Sequence, residues 1–387
     1  MAKKYLAYPL WLLLVLALLE LTFWGYFSFA YDAPAGHPAD AEMEALIKGI
    51  PQADIERFIA GQYDPYLGWN NGSEASYEHE GTHYQTSKDR VRVNPHANDT
   101  VRISAYGDSF TFGDEVENDE TFPYFLSRLT NTNVINHGVS AYGTDQALKK
   151  LGQNLRNGGR TDVVVLEFIQ DSIQRNMNMY LPFKYGFADW TRYMFKPMLH
   201  ESAAGYEWVA NPLRKLASAD DVLEAYRASK PYDGFYRPSQ PEPAFPYTVS
   251  AVRTIAFLWQ RKLEGSPDWG HAASERKMKE LVRTYANLAR EYDFVPVLIY
   301  IPLGFEIRDY LSGNHEQRFD SFLDETARDY QDTSLIVINL ARALQEMQSR
   351  PPMENFYVRP YDGHPSALGN RIIAEVIHQR IKPHLLN

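Results

Sequence analysis

The chain contains no cysteine. That excludes disulfides, cysteine-ligated zinc and a lipid-modified N-terminal cysteine. Positive charge is in deficit: 39 Lys and Arg stand against 49 Asp and Glu, a net charge of −10. A nucleic-acid-binding surface is therefore not expected. Internal repeats and low-complexity tracts are also lacking. What remains, 387 residues at 44% hydrophobic and 23% charged, suits one large globular domain with attachments. Aromatic residues are plentiful, with 26 Tyr and 7 Trp. Aromatic surfaces suit sugar stacking, although cores take most aromatic side chains.

Residues 1–31 carry the clearest physical signal. Lys3 and Lys4 precede an apolar stretch from Leu6 to Phe29. As a helix this stretch is about 36 Å long, enough for a hydrocarbon core of about 30 Å. Tyr5, Tyr8 and Trp11 mark one end and Trp24, Tyr26 and Phe27 the other, as interfacial belts do. The expectation is an uncleaved single-pass anchor in the plasma (inner) membrane, N-terminus cytoplasmic and main domain extracytoplasmic or periplasmic. The rival is a signal peptide cleaved near Ser28-Phe29-Ala30. Glu20 interrupts the apolar run, at a cost on the order of 2.5–3.5 kcal/mol at membrane depth. Its alternatives are protonation, snorkelling, or contact with a polytopic membrane partner.

Pro34, Gly36 and Pro38 give residues 32–60 a linker start, followed by amphipathic stretches at 43–47 and 55–59. Residues 63–95 have strand-and-turn character and are expected to pack beside the main domain. Within them His79-Glu80-Gly81-Thr82-His83 matches the zincin string letter for letter. Zincin chemistry needs both histidines on one helical face. A glycine inside the string and turn-forming neighbours predict a polar loop and no metal.

The organising stretch is residues 101–113, VRISAYGDSFTFG. Val101, Ile103 and Ala105 read as a buried strand, and Gly107 and Asp108 break it at Ser109. α/β folds place nucleophiles at such turns. Thr121 is a candidate helix cap with Pro123 in the first turn. Residues 134–139 read as a second strand, Thr144 as the cap of a helix, and residues 163–169 as a third strand. Residues 172–270, rich in Pro, Tyr, Trp and Phe, break the rhythm as an insertion that includes a helix over 249–263. The pattern then resumes with a helix over 274–291, strands at 295–301 and 335–340, and a closing helix after Pro365. Alternation of this kind argues for a parallel sheet with helices on both faces, its site beyond the carboxyl ends of the strands. Ser109, Gly138 and Gln170 fall at such ends. The expected divisions are an anchor at 1–31, a linker and extension at 32–100, and a main domain at 101–387.

Tyr361-Asp362-Gly363-His364-Pro365 supplies a base and a carboxylate on one loop. With Ser109 they complete the residue types of acyl transfer. GDSFTFG and DGHP, in this order, resemble the first and last blocks of the SGNH hydrolases, the GDSL esterase/lipase superfamily. The resemblance runs from Val101 to the C-terminus. It implies a three-layer α/β/α flavodoxin-like sandwich and catalysis by Ser109, His364 and Asp362 without a cofactor. It also implies an oxyanion hole from the Ser109 N–H, the Gly138 N–H and a block III side chain.

Two departures stand out. Block III, Gly-x-Asn-Asp in the family, is Phe168-Ile169-Gln170-Asp171 here. The extra methylene of Gln170 displaces its amide by roughly 1.5 Å, and one oxyanion donor is worth about 2.7–4 kcal/mol. Asn176 and Asn178 lie close enough in sequence to substitute. The last block is spaced Asp-x-His instead of Asp-x-x-His, a spacing shared with SGNH-like proteins that acetylate exopolysaccharides. Three functions follow: an esterase acting on acyl groups, O-acetyl among them, of envelope or secreted glycans; an O-acyltransferase fed by a polytopic membrane partner near Glu20; and a non-catalytic scaffold.

Overall fold

The computed structural model describes residues 2–30, 40–79, 81–96, 100–238, 243–265, 267–312, 319–347 and 352–385. The linker at 32–38 and Glu80 lie outside the described residues, as do the side chains of residues 2–10.

Five strands form one parallel sheet: β1 (Val101–Tyr106), β2 (Asn133–Asn136), β3 (Val163–Phe168), β4 (Val295–Tyr300) and β5 (Ile336–Asn339). Their order is 2-1-3-4-5, the flavodoxin-like order. β3 reads VVVLEF and is buried at all six positions. Such an unbroken run suits a strand covered on both faces. Ile103, Ala105, Val163, Val165, Val297 and Ile299 point to one face. There they meet α3 (Phe122–Thr130) and α8 (Ala367–Leu385), which buries Ile372, Ile373, Val376, Ile377 and Ile381. Each such side chain contributes about 1.5–3 kcal/mol on burial. The alternate strand residues face α4 (Thr144–Arg156) and α7 (Ala272–Tyr292), with Met278, Leu281 and Tyr285 inward. The architecture is the expected three-layer sandwich.

Thr121 caps α3 by accepting from the Tyr124 N–H, and Pro123 sits in its first turn. Thr144 does not cap α4: Gly143 holds that position and Thr144 is the first helical residue. The zincin string spans a β-hairpin, Ser76–His79 against Thr82–Gln85, with Gly81 at φ +83°. Cross-strand pairing of His79 with Thr82 precludes the shared helical face that a zincin requires.

The chain splits into two compact units, residues 50–234 with 267–387, and residues 1–49 with 235–266. The first holds the sheet. The second contains α1 (Ala2–Phe29) and α6 (Tyr247–Glu264). Trp11–Phe29 of α1 is long and apolar enough to cross a membrane, and none of it is buried in protein. Glu20 meets this same chain: it accepts from the Tyr247 N–H at 2.6 Å, the Thr248 N–H at 3.1 Å and the Thr248 hydroxyl.

Candidate active site

Ser109 opens α2 (Ser109–Phe112), one helical turn beyond β1. Gly107 is obligatory at the exit, because a Cβ there would stand 2.1 Å from Glu167 Oε2 and 2.3 Å from Thr111 Oγ1. Asp108 caps the turn, accepting from the Phe110 N–H at 2.9 Å. Its other oxygen accepts from Arg175 Nη1 at 2.8 Å and from the Ser172 hydroxyl at 3.1 Å, both on α5 (Gln170–Asn176). β1 and β3 are thereby pinned together at their carboxyl ends. Glu167 lies beneath, accepting from the Asp108 N–H and the Thr111 hydroxyl. Burial, then the charge of Asp108, raise its pKa well above the ordinary value. Among the described residues the Ser109 hydroxyl and backbone N–H have no hydrogen-bond partner.

His364 arrives from the far end of the chain. It sits on β7 (Asp362–Pro365), paired antiparallel with β6 (Tyr357–Arg359). Its ring packs on Phe110, the residue after Ser109, with centroids 5.2 Å apart. Ser109 and His364 share no hydrogen bond, although their elements touch. Catalytic hydrogen bonds often tighten only when substrate is bound.

The carboxylate on His364 is not that of Asp362. Glu115 Oε2 lies 2.6 Å from His364 Nδ1 and also accepts the His364 backbone N–H at 2.9 Å. Asp362 turns outward, its side chain 76% exposed, and pairs with Arg359 at 3.2 Å. Asp362 is paired in register with Arg359 across the hairpin, and its carboxylate is taken by that guanidinium. Arg359 also donates to Glu115 Oε1 at 2.6 Å. Hydrogen bonding to His364, with Arg359 adding to it, holds the Glu115 carboxyl down to about 2 against the effect of burial. For His364, burial opposes protonation, but the Glu115 hydrogen bond and the charges of Asp114 and Glu115 outweigh it. Its pKa is raised. Asp114 Oδ2 stands 4.0 Å from His364 Nε2 and both its oxygens accept from the Ser140 hydroxyl, at 3.0 and 2.8 Å.

The expected oxyanion donors are arranged differently. The Gly138 N–H is taken by Asn136 Oδ1 at 3.0 Å. Gly138 is a glycine for packing: a Cβ would lie 2.2 Å from Phe112 N. The next unpartnered N–H groups among the described residues are those of Ser140 and Ala141, and Ala141 takes φ +66°. The Gln170 amide donates to Asp268 Oδ2 at 3.4 Å, and its oxygen is buried without a partner. Asn176 is occupied at the start of α4, accepting the Asp145 N–H, and Asn178 donates to Tyr180 O and Asp233. Neither is free to replace Gln170.

Sequence reasoning missed Glu115 and the residue that positions it. Glu115 has φ +66° in the loop after α2. Arg92, almost wholly buried, donates to the carbonyls of Gly113 at 3.0 Å and Val116 at 2.7 Å and to Asn118 Oδ1 at 2.7 Å. The adjacent acids Asp114-Glu115 were the only local signal, and a charged pair in a loop is ordinarily solvated. Beside them opens a cavity of about 300 Å³, lined by Trp69, Tyr77, Tyr84, Gln62, Asp114 and Ser140 among others.

No protein-family model matches the chain, and no curated protein matches it. Solved structures do. One, assigned as a lipolytic protein of the G-D-S-L family from Desulfitobacterium hafniense DCB-2, is 11% identical with a TM-score of 0.35, over 73% of this chain and 99% of that one. Another, assigned as an acylhydrolase from Bacteroides fragilis NCTC 9343, is 11% identical with a TM-score of 0.34, over 75% and 90%. A salicylyl-acyltransferase from a tetracycline biosynthetic pathway is 12% identical with a TM-score of 0.29, over 74% and 56%. The α/β/α architecture is given by the strand order of the sheet itself.

Proposed function

We propose that the chain is a membrane-anchored, extracytoplasmic serine ester hydrolase of the SGNH kind. The observation that supports this best is His364, its Nδ1 held 2.6 Å from Glu115, packed against the turn that presents Ser109. Ser109 Oγ attacks the ester carbonyl carbon while its proton passes to His364 Nε2. The Nδ1–H of the resulting imidazolium stays bonded to the Glu115 carboxylate. The tetrahedral oxyanion forms near the Ser109 N–H, with the Ser140 and Ala141 N–H groups as the second source of donors. Collapse expels the alcohol, which takes the proton back from His364. Water, deprotonated by His364, then releases the acid and restores Ser109.

The substrate class is an acyl ester on a glycan, O-acetyl groups included. The cavity beside Asp114, with aromatic rings and a polar rim, has room for the sugar. That cavity also favours a second reading, transfer of the acyl group to a sugar hydroxyl in place of water. A fluorophosphonate probe is expected to label the protein, and p-nitrophenyl acetate to yield acid. Labelling or turnover that persists in Ser109→Ala would remove Ser109 as the nucleophile, and a wild-type protein inert to both reagents would leave only the scaffold reading. Mass analysis of acetylated oligosaccharides after incubation separates hydrolysis from transfer.

A further inference from the structure

We infer that α6 is a re-entrant membrane helix, seated against α1 and facing lipid with its apolar side. The inference rests on reading α1 as a membrane span. Four observations carry it, and α1 and α6 belong to one unit, residues 1–49 with 235–266.

The first is the match of polar groups at the start of α6. Glu20 lies at the midpoint of Trp11–Phe29. It takes the Tyr247 and Thr248 N–H groups and the Thr248 hydroxyl. Hydrocarbon offers neither a carboxylate nor free helix N–H groups any other partner. In water neither would need this one.

The second is the entry loop. Non-helical backbone survives at membrane depth only where its polar groups are paired within protein. The Ser250 hydroxyl donates to Ala244 O at 2.7 Å and accepts the Ala244 N–H at 3.0 Å. Pro246 has no N–H, and its carbonyl accepts from Val249 and Ser250, both at 3.1 Å.

The third is the surface of α6. Val252 is 67% exposed, Ile255 55% and Trp259 64%, with Val249 and Leu258 also exposed. These positions cover one side of the helix. The opposite side buries Ser250 and Thr254, small residues of the type that let membrane helices approach closely. The Trp11–Phe29 stretch of α1 likewise buries none of its apolar residues in protein.

The fourth is length and connection. From Tyr247 to Trp259 the helix rises about 18 Å, close to the roughly 15 Å of half a hydrocarbon core. With its start at the depth of Glu20, Trp259 reaches the headgroups, followed in sequence by Arg261 and Lys262. Arg253, about 9 Å along, has a stem long enough to snorkel there. The chain leaves the main unit after Gly234 and rejoins it at Pro267, so this helix enters and returns on one side.

The lack of native cysteine makes the test direct. Single-cysteine variants Val252→Cys and Ile255→Cys of the full chain, in phosphatidylcholine vesicles, are treated with a membrane-impermeant maleimide. Asp189→Cys, at a side chain 92% exposed, is the aqueous control, and Leu16→Cys the anchor control. Unchanged circular dichroism melting confirms that each variant folds. Labelling at 252 and 255 is expected to be at least about tenfold slower than at 189, as burial of one such side chain implies. A bimane at either position is expected to be quenched by dibrominated lipid. Labelling at 252 and 255 as fast as at 189, with 16 protected, overturns the inference and leaves the anchor standing. Fast labelling at 16 overturns the anchor reading itself. Protection at 252 and 255 without lipid quenching overturns the inference in favour of a protein cover.

Discussion

The contact between His364 Nδ1 and Glu115 makes sharp claims at the scale of single residues. Removing the group that orients a catalytic imidazole costs about 10⁴-fold in kcat where such groups have been replaced, and Glu115→Ala is expected to approach that loss in steady-state ester hydrolysis. Asp362→Asn, which breaks only an exposed pair, is expected to stay within about fivefold of wild type. The reverse ranking would return Asp362 to the site. The pH dependence carries its own sign. His364 must be neutral to accept the Ser109 proton, and its pKa is raised, so the acidic limb of kcat/KM is expected above the ordinary histidine value of about 6.5. Glu115→Gln removes a leading cause of that rise and is expected to move the limb to lower pH. Glu115 itself is lowered from 4.5 to about 2. Its contribution to stability is therefore complete above its unfolded value and is lost as pH falls through about 2. Acid unfolding of Glu115→Gln is expected to lack that component.

At the scale of elements, the α2 turn is gripped from two sides. Gly138 approaches Phe112 so closely that Gly138→Ala must push apart backbone, a Cβ at 2.2 Å from N and 2.7 Å from Cα. Overpacking of this kind costs about 1–3 kcal/mol, to be read as a lower urea midpoint. Arg92 grips the following loop through carbonyl groups that only a guanidinium fork spans. Arg92→Lys is expected to lower kcat while fluorophosphonate labelling of Ser109 persists, because the change acts through Glu115 and not on the nucleophile. Equal loss in both assays would make Arg92 a stability residue alone.

For the whole molecule, the testable feature is α1, long and apolar enough to cross a membrane. An uncleaved apolar span of 19 residues is expected to keep the full chain in the membrane pellet through a high-pH carbonate wash and to release it only in detergent. Release by the wash would mean that the helix is removed or does not insert. Much of this molecule was legible from neighbours along the chain. The strands are runs of Val, Ile and Leu, the turn at Ser109 is marked by Gly-Asp, and the α3 cap by Thr121 and Pro123. Period, turn chemistry and apolar length are local properties, so they determined the α/β/α layers, the serine turn and the candidate anchor. The choice of hydrogen-bond partner is not local. Tertiary structure alone decided that Glu115, 249 positions before His364 in the chain, reaches the imidazole in place of Asp362. It also gave the Gly138 N–H to Asn136, the Gln170 amide to Asp268, and the Glu20 carboxylate to the start of α6. A polar group pairs with whatever folding brings within about 3 Å, and proximity in space between residues far apart along a chain is a property of the packed sheet and its loops, not of any one stretch.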